Sequence, residues 1–143
     1  MNVLQLLKLK GSRAVETVSP DMTVAEAAEM LSAKRIGALV ASSDGKTVAG
    51  ILSERDIVRM LGSEGTAVLA RPIHQVMTAE VMTCALTDSA LSVLERMTEG
   101  RFRHMPVIEA DQMVGFLSIG DVVKARISEV ENDNAALVEM LHG

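Results

Sequence analysis

The stretch Gly50-Ile51-Leu52-Ser53-Glu54-Arg55-Asp56 decides the fold, because it returns as Gly115-Phe116-Leu117-Ser118-Ile119-Gly120-Asp121. The two glycines are 65 positions apart, and so are the two aspartates. In each copy an apolar run leads through a serine into a helical pattern. A strand therefore delivers a hydroxyl and a carboxylate to the first turn of a helix, and one structural unit is used twice along the chain.

The repeat extends upstream of this motif. Two helices with one buried face are predicted from apolar residues that recur 66 positions apart, namely Val24, Ala27, Ala28 and Leu31 in the first copy and Ala90, Val93, Leu94 and Met97 in the second. Thr23 followed by Glu26 has the spacing of a capping box, which predicts the start of the first of these helices.

Strands are predicted on both sides of each of these helices. A short extended piece at 15–18 precedes the first helix, and its counterpart around 81–83 precedes the second. The strands 38–41 and 105–108 follow, each with a turn that leads into the repeated motif. Each unit is therefore predicted to run strand, helix, strand, strand, helix, in a mixed α/β fold whose small sheets combine parallel and antiparallel pairs.

The whole chain is predicted to contain five segments. These are an N-terminal helix at 1–14, a first repeat at 15–61, a connector at 62–75, a second repeat at 76–125 and a C-terminal helical extension at 126–143. The first segment is a short amphipathic helix that ends at Gly11, and docking on the body is favoured over contact with a membrane.

The C-terminal segment has a heptad pattern. Its apolar positions alternate at spacings of four and three and include one asparagine: Val123, Ile127, Val130, Asn134, Leu137 and Leu141. A buried asparagine in such a seam fixes register and strand number. Two interpretations stay open at this point, packing against the chain's own body and pairing with a second copy.

Composition narrows the classes of function. The 143 residues are 48% hydrophobic, so the chain can form a core. A net charge of −5 and 1% aromatic residues argue against nucleic-acid binding. Cys84 is the only cysteine, which indicates a reducing compartment, and we expect a cytoplasmic protein. No apolar run has the length of a membrane span, and no targeting segment is recognised, so a soluble protein without membrane contact is expected.

The repeated Ser-x-x-Asp has two chemical interpretations. It is the pattern of an ordinary helix cap, in which the serine and the acid satisfy exposed amides. A helix start with a hydroxyl and free amides also suits a phosphate, and a nearby carboxylate can accept both hydroxyls of a ribose. The glycine before each serine and the basic residues Arg101, Arg103 and His104 near one copy favour a ribonucleotide site.

These residues also carry a resemblance to a known family. The two motif copies, with Arg103-His104-Met105-Pro106-Val107 and Val76-Met77-Thr78 ahead of the second, are similar to a tandem pair of CBS (cystathionine β-synthase) domains, over about Val15 to Ala125. The resemblance implies a pseudo-twofold pair of repeats with two clefts between them, commonly in a flat dimer. It also implies an adenosine-containing ligand, such as AMP, ADP, ATP, NAD(H) or S-adenosylmethionine, whose binding senses energy or cofactor state.

The resemblance implies a role for each matching position. Asp121 and Asp56 would accept the ribose hydroxyls, and Ser118 and Ser53 would lie on the phosphate side. Thr83, Cys84, Thr17 and Val18 would lie at the adenine edge, and Arg103 and His104 beside the phosphate. The other expected ligand-binding positions are Met105 and Pro106 of the same motif, Gly37 and Ala38, which match Arg103 and His104 in the first repeat, and Arg55, which would reach the phosphate bound at Asp121. Because Gly37 and Ala38 carry no charge, the cleft with Asp121 is predicted to be the better site.

No catalytic or metal-binding pattern is recognised. His74, His104 and His142 are dispersed without metal-ligand spacing, and Cys84 is expected to be a small core residue. The leading hypothesis is a homodimeric, non-catalytic sensor of adenine nucleotides that acts on a downstream protein. The alternatives are a structural or interaction module without a ligand, and an enzyme acting on a nucleotide.

Overall fold

The computed structural model describes residues 1–11 and 15–142. Residues 12–14 and 143, which belong to the predicted terminal segments, lie outside the described residues. In chain order the elements are α1 (Val3–Lys10), β1 (Thr17–Val18), α2 (Val24–Lys34), β2 (Ala38–Ala41), β3 (Gly50–Ser53), α3 (Glu54–Glu64), two 3-10 helices (Thr66–Ala70 and Ile73–Gln75), α4 (Ala90–Gly100), β4 (His104–Glu109), β5 (Gln112–Ser118) and α5 (Ile119–His142). The predicted mixed α/β class is confirmed.

The chain forms two compact units. The first unit contains Val15–Met82 and Ala110–Met113. The second unit contains the described residues of 1–14, Thr83–Glu109 and the described residues of 114–143. The second unit therefore combines the beginning of the chain with most of the residues after Met82.

The first unit has a three-stranded sheet in the order β1-β2-β3. β1 pairs with β2 in parallel, with Thr17 opposite Val40, and β2 pairs with β3 antiparallel, with Leu39 opposite Leu52. The predicted combination of parallel and antiparallel pairing is therefore confirmed. The helical stripe of α2 is buried at Val24, Ala27 and Leu31, and it packs in one hydrophobic cluster with the sheet residues.

The start of α2 differs in one detail from the predicted capping box. The Thr23 hydroxyl accepts a hydrogen bond from the backbone N–H of Glu26 at 3.1 Å, as expected for an N-cap. The Glu26 carboxylate accepts from the Thr23 hydroxyl at 3.1 Å. A full capping box would require the Thr23 backbone N–H as the donor instead.

The segment predicted as a connector contributes to the core of the first unit. α3 continues to Glu64, and the two 3-10 helices that follow bury Val68 and Ile73. The Ile73 N–H donates to the Met22 carbonyl at 2.7 Å, which ties the segment to the loop before α2.

The second unit has a reduced sheet. β4 and β5 form a two-stranded sheet, and the strand predicted around 81–83 is present only as an isolated parallel bridge between Cys84 and Val107. The Cys84 N–H donates to the Pro106 carbonyl at 3.0 Å, and the Cys84 carbonyl accepts from the Ile108 N–H at 2.9 Å. In the second repeat, the parallel partner of β4 is therefore reduced to a single paired residue, Cys84.

α1 packs on the second unit. Its start is fixed by a capping box between Asn2 and Gln5, and its end by Gly11 in the left-handed conformation. Val3, Leu6 and Leu7 are buried in the same cluster as α4 and α5, which confirms the prediction of a docked helix. Within residues 1–11 and 15–142, every helix is too short or too polar to cross a bilayer.

The turn between β4 and β5 offers a first prediction. Ala110 and Asp111 both have positive φ, of 50° and 62°. Two-residue hairpin turns with two positive φ values favour Asn-Gly, because alanine in the left-handed region costs roughly 1 kcal/mol. We expect Ala110→Asn combined with Asp111→Gly to raise the free energy of unfolding by about 1 kcal/mol in urea titrations. An unchanged or lower value would contradict this account of the turn.

Candidate functional site

Both copies of the repeated motif form the same cap at the start of a helix. In the first unit the Ser53 N–H donates to Asp56 Oδ2 at 2.9 Å, and the Asp56 N–H donates to Ser53 Oγ at 3.2 Å. In the second unit the Ser118 N–H donates to Asp121 Oδ2 at 2.9 Å, and the Asp121 N–H donates to Ser118 Oγ at 3.2 Å. The capping interpretation of the motif is therefore confirmed in both copies.

The two aspartates differ in their cationic partners. Asp56 Oδ1 pairs with Arg59 on the next turn of α3 at 3.1 Å. Asp121 Oδ2 pairs with Lys10 of α1 at 2.9 Å, and the same Lys10 ammonium donates to the Phe116 carbonyl at 2.8 Å. Lys10 thus joins the end of α1 to the end of β5 and the first turn of α5.

Asp121 is held in its ionised form. Partial burial raises the pKa of its carboxyl group, but the hydrogen bonds from Lys10 and Ser118 and the charge of Lys10 outweigh this and leave the pKa below its usual value. The described hydrogen bonds to Asp121 all end on Oδ2, and 24% of its side chain is exposed. A carboxylate has acceptor positions on both oxygens, so capping and ligand binding are compatible.

An equivalent backbone hydrogen bond in the two repeats joins the helix start after the motif to the residue just before β2 or β4. In the second unit the Ile119 N–H donates to the Arg103 carbonyl at 2.8 Å. In the first unit the Glu54 N–H donates to the Gly37 carbonyl at 2.9 Å. The two bonds are equivalent within the repeat. The second helix start therefore lies beside an arginine, and the first beside a glycine.

Aromatic rings flank the second helix start. The imidazole of His104 stacks on the ring of Phe116, with centroids 5.6 Å apart and an interplanar angle of 8°. Arg103 is exposed, whereas Met105 and Pro106 are buried in β4. Of these four expected ligand-binding residues, Arg103 therefore presents an exposed polar group, and Met105 and Pro106 support the strand.

The remaining predicted residues lie on the strands and on α3. Thr17 and Val18 form β1, and the Val18 carbonyl accepts from the Ser42 N–H at 2.9 Å. Ala38 is buried at the start of β2, and Arg55 is exposed on the first turn of α3.

The other predicted adenine-edge pair lies in the second unit. The Thr83 carbonyl accepts from the Arg96 guanidinium at 2.9 Å. Burial raises the pKa of the Cys84 thiol to about 11, so this cysteine is an unreactive core residue, as expected. In the part of the chain that the structure describes, no three His, Cys, Asp or Glu side chains group as metal ligands would.

The motif glycines are required by packing of the chain itself. A Cβ at Gly50 would lie 2.5 Å from Met77 Sδ and 2.8 Å from the Thr78 carbonyl oxygen. A Cβ at Gly115 would lie 2.7 Å from a methyl group of Leu7. The sequence pattern correctly predicts a close approach to each glycine. What approaches is a segment of the same unit in both cases.

Sequence reasoning missed Lys10 as a site residue. The lysine was recognised only as part of an amphipathic helix, and 111 positions separate it from Asp121. No local pattern reports a contact over that distance. A basic residue in the last turn of a docked helix is the single indication that the sequence contains.

Comparison with known proteins identifies the family. The CBS domain family model matches residues 11–63 and 73–128. The chain therefore belongs to the CBS domain family and contains two CBS domains.

Individual relatives and structures agree with this assignment. The chain is 31% identical over 148 residues to a mitochondrial CBS domain-containing protein of Arabidopsis thaliana, covering 99% of this chain and 72% of the relative. The crystal structure of a CBS-domain containing protein from Agrobacterium tumefaciens is 43% identical, with a TM-score of 0.83 over 88% of this chain and 99% of that one.

A second similar structure contains a ligand. It is a CBS domain protein from Pyrobaculum aerophilum complexed with AMP, 27% identical to this chain. Its TM-score is 0.73, over 85% of this chain and 89% of that one.

Proposed function

We propose that this chain is a regulatory, non-catalytic module that binds an adenine nucleotide, with the start of α5 as its principal site. The observation that carries the proposal is the ionised, partly exposed Asp121 carboxylate on a capped helix start, in a chain similar to a protein complexed with AMP. Asp121 would accept the ribose hydroxyls, and Ser118 would lie on the phosphate side.

The charge around the second helix start supports this choice of site. Arg103 is exposed, and its backbone is bonded to the first turn of α5. Its guanidinium supplies donors for a phosphate, and we propose that His104 lies beside the same group. The further prediction that Arg55 assists at this phosphate stays a prediction.

The first repeat has an equivalent carboxylate without the neighbouring arginine. Asp56 takes part in the same kind of helix cap as Asp121, but Gly37 and Ala38 stand where the second repeat has Arg103 and His104. We propose that Ser53, Asp56, Thr17 and Val18 form a weaker nucleoside site. Its affinity for a nucleoside and for its phosphates should differ little, because no side-chain cation stands at those two positions.

A structural module without a ligand is the second candidate function. Both carboxylates complete helix caps, which is sufficient reason for their presence in the motif. The two candidates differ in whether a small molecule stabilises the folded chain.

A thermal-shift panel separates the two candidates. At a ligand concentration of 100 Kd, binding adds about 2.7 kcal/mol to the free energy of unfolding. We expect a saturable rise in Tm with at least one of AMP, ADP, ATP, NADH and S-adenosylmethionine, and none with GMP as the matched control. If none of the six compounds raised the Tm above that of the ligand-free protein, the structural module would be favoured. Mass spectrometry of the denatured protein would identify a ligand retained through purification.

Two further parts of the proposal concern the setting of the module. The single buried thiol is compatible with a reducing compartment, which supports a cytoplasmic location. A homodimer that passes the state of the site to a downstream protein is the form in which we expect the module to act. Such coupling requires the ligand to bind one arrangement more tightly than another.

A further inference from the structure

The C-terminal part of α5 exposes a continuous apolar face. Val122 and Ala125 are the buried residues of this 24-residue helix, and both lie near its beginning. The exposed large apolar residues of the helix are Val123 (39%), Ile127 (53%), Val130 (48%), Leu137 (58%), Val138 (53%), Met140 (78%) and Leu141 (83%). Between Ile127 and His142 the helix rises about 22 Å. The interpretation that this face packs against the chain's own body is therefore wrong for the described residues.

Five of these apolar residues form a single seam with Asn134, and Val138 and Met140 flank it at e and g positions. With Ile127 at position a of a heptad, the a positions are Ile127, Asn134 and Leu141, and the d positions are Val123, Val130 and Leu137. We call these six residues the α5 seam. Its five apolar members are all exposed, and so is Asn134. Most helical stability in proteins comes from packing of an amphipathic face, so a partner that covers the seam would stabilise this segment.

We propose that the α5 seam pairs in parallel and in register with the α5 seam of a second copy of this chain, as a two-stranded coiled coil. This inference does not depend on nucleotide binding. It names the surface, the orientation and the residue pairs of the homodimer.

Asn134 favours the parallel orientation. In a parallel pair the a positions face each other, so Asn134 lies opposite the second copy's Asn134 and their amides hydrogen-bond. In an antiparallel pair an a residue faces a d residue, which would put Asn134 against Val130 or Leu137. An amide buried against hydrocarbon without a partner costs free energy, so the parallel register is preferred.

Charge complementarity favours the same register. Arg126 and Glu131 occupy g and e positions, which are neighbours across a parallel coiled coil. Arg126 already bonds Glu129 on its own helix at 2.8 Å, and it is part-buried there. The second copy's Glu131 would add a second carboxylate to the same guanidinium, which has donors for both.

Cysteine cross-linking tests orientation and register together. Asn134→Cys should form an intermolecular disulfide on mild oxidation, because residue 134 faces its own counterpart only in the parallel, in-register pair. Asn132→Cys is the matched control, since position 132 lies on the outer face of the helix. The unmodified chain controls for Cys84, which is buried. Absence of a dimer band for Asn134→Cys on a non-reducing gel, or equal bands for both variants, would overturn the proposal.

A charge exchange tests the pairing without cysteines. Glu131→Arg should weaken dimerisation about tenfold in analytical ultracentrifugation, which corresponds to about 1.4 kcal/mol. Adding Arg126→Glu should restore most of the affinity, because the attraction is re-formed with the signs reversed. A monomer at every concentration of the unaltered chain, or no recovery in the double variant, would overturn the proposal. Thermal shift with AMP on the same samples reports separately on the proposed function.

Discussion

Asp121→Ala should lower the affinity for AMP by about 100-fold, whereas Asp56→Ala should lower it by less than about threefold. Hydrogen bonds to a charged acceptor contribute about 1.5–3 kcal/mol each, and the loss of two of them corresponds to at least two orders of magnitude. The measurement is isothermal titration calorimetry at one fixed salt concentration. Salt must be fixed because charged contacts are screened.

Asp56→Ala is the matched control because it removes the same helix cap from the other repeat. Lys10→Ala is a second control, since it removes the ion pair of Asp121 and keeps the proposed ribose acceptor. If Asp56→Ala abolished binding while Asp121→Ala left it intact, the assignment of the principal site would be wrong. If neither variant changed the affinity, the repeated motif would have a structural role alone.

Gly50→Ala should lower the free energy of unfolding by about 3 kcal/mol. The new Cβ would lie 2.8 Å from the Thr78 carbonyl oxygen and 2.7 Å from Met77 Cγ. The Thr78 backbone is bonded to Ile51 in both directions, at 3.0 and 2.9 Å, so it cannot retreat without breaking these bonds. In a thermal melt the loss corresponds to roughly 10 °C in Tm.

Two other glycines provide matched controls. At Gly115 the obstacle is the methyl end of Leu7, which can rotate, so Gly115→Ala should cost about 1 kcal/mol. Gly62 lies within α3 with nothing within 4 Å of a new Cβ, so Gly62→Ala should stabilise by up to about 1 kcal/mol. Equal effects at Gly50 and Gly62 would show that close approach is not the reason for the motif glycine.

The elements with local causes could be predicted from the sequence. The stripes of α2 and α4 are predicted from 3.6-residue periodicity. All of their buried residues are among those expected, and the remaining two, Ala28 and Leu94, are partly buried. The cap at Ser118 follows from residues three positions apart, so its geometry could be anticipated as well. Periodicity and capping depend on neighbours along the chain, and these are visible without a structure.

The elements with distant causes could not be predicted. The contact of Lys10 with Asp121 joins the two ends of the second unit, and no periodic pattern reports it. The strand predicted before α4 is reduced to a single bridge between Cys84 and Val107 of β4, and no local sequence pattern reports that pairing. The adenosine ligand itself was inferred from family resemblance, because a capping box and a ribose site use the same two residue types.

The packing behind the two motif glycines has a consequence for biosynthesis. Leu7 lies behind Gly115, so the leucines of α1 emerge from the ribosome long before the strand that covers them has been made. Met77 lies behind Gly50, and it is translated soon after its partner. Most of the first unit, Val15–Met82, can therefore fold cotranslationally, while α1 stays uncovered until the segments after Met82 that belong to the second unit follow. During that interval Val3, Leu6 and Leu7, which are buried in the folded chain, are exposed to solvent.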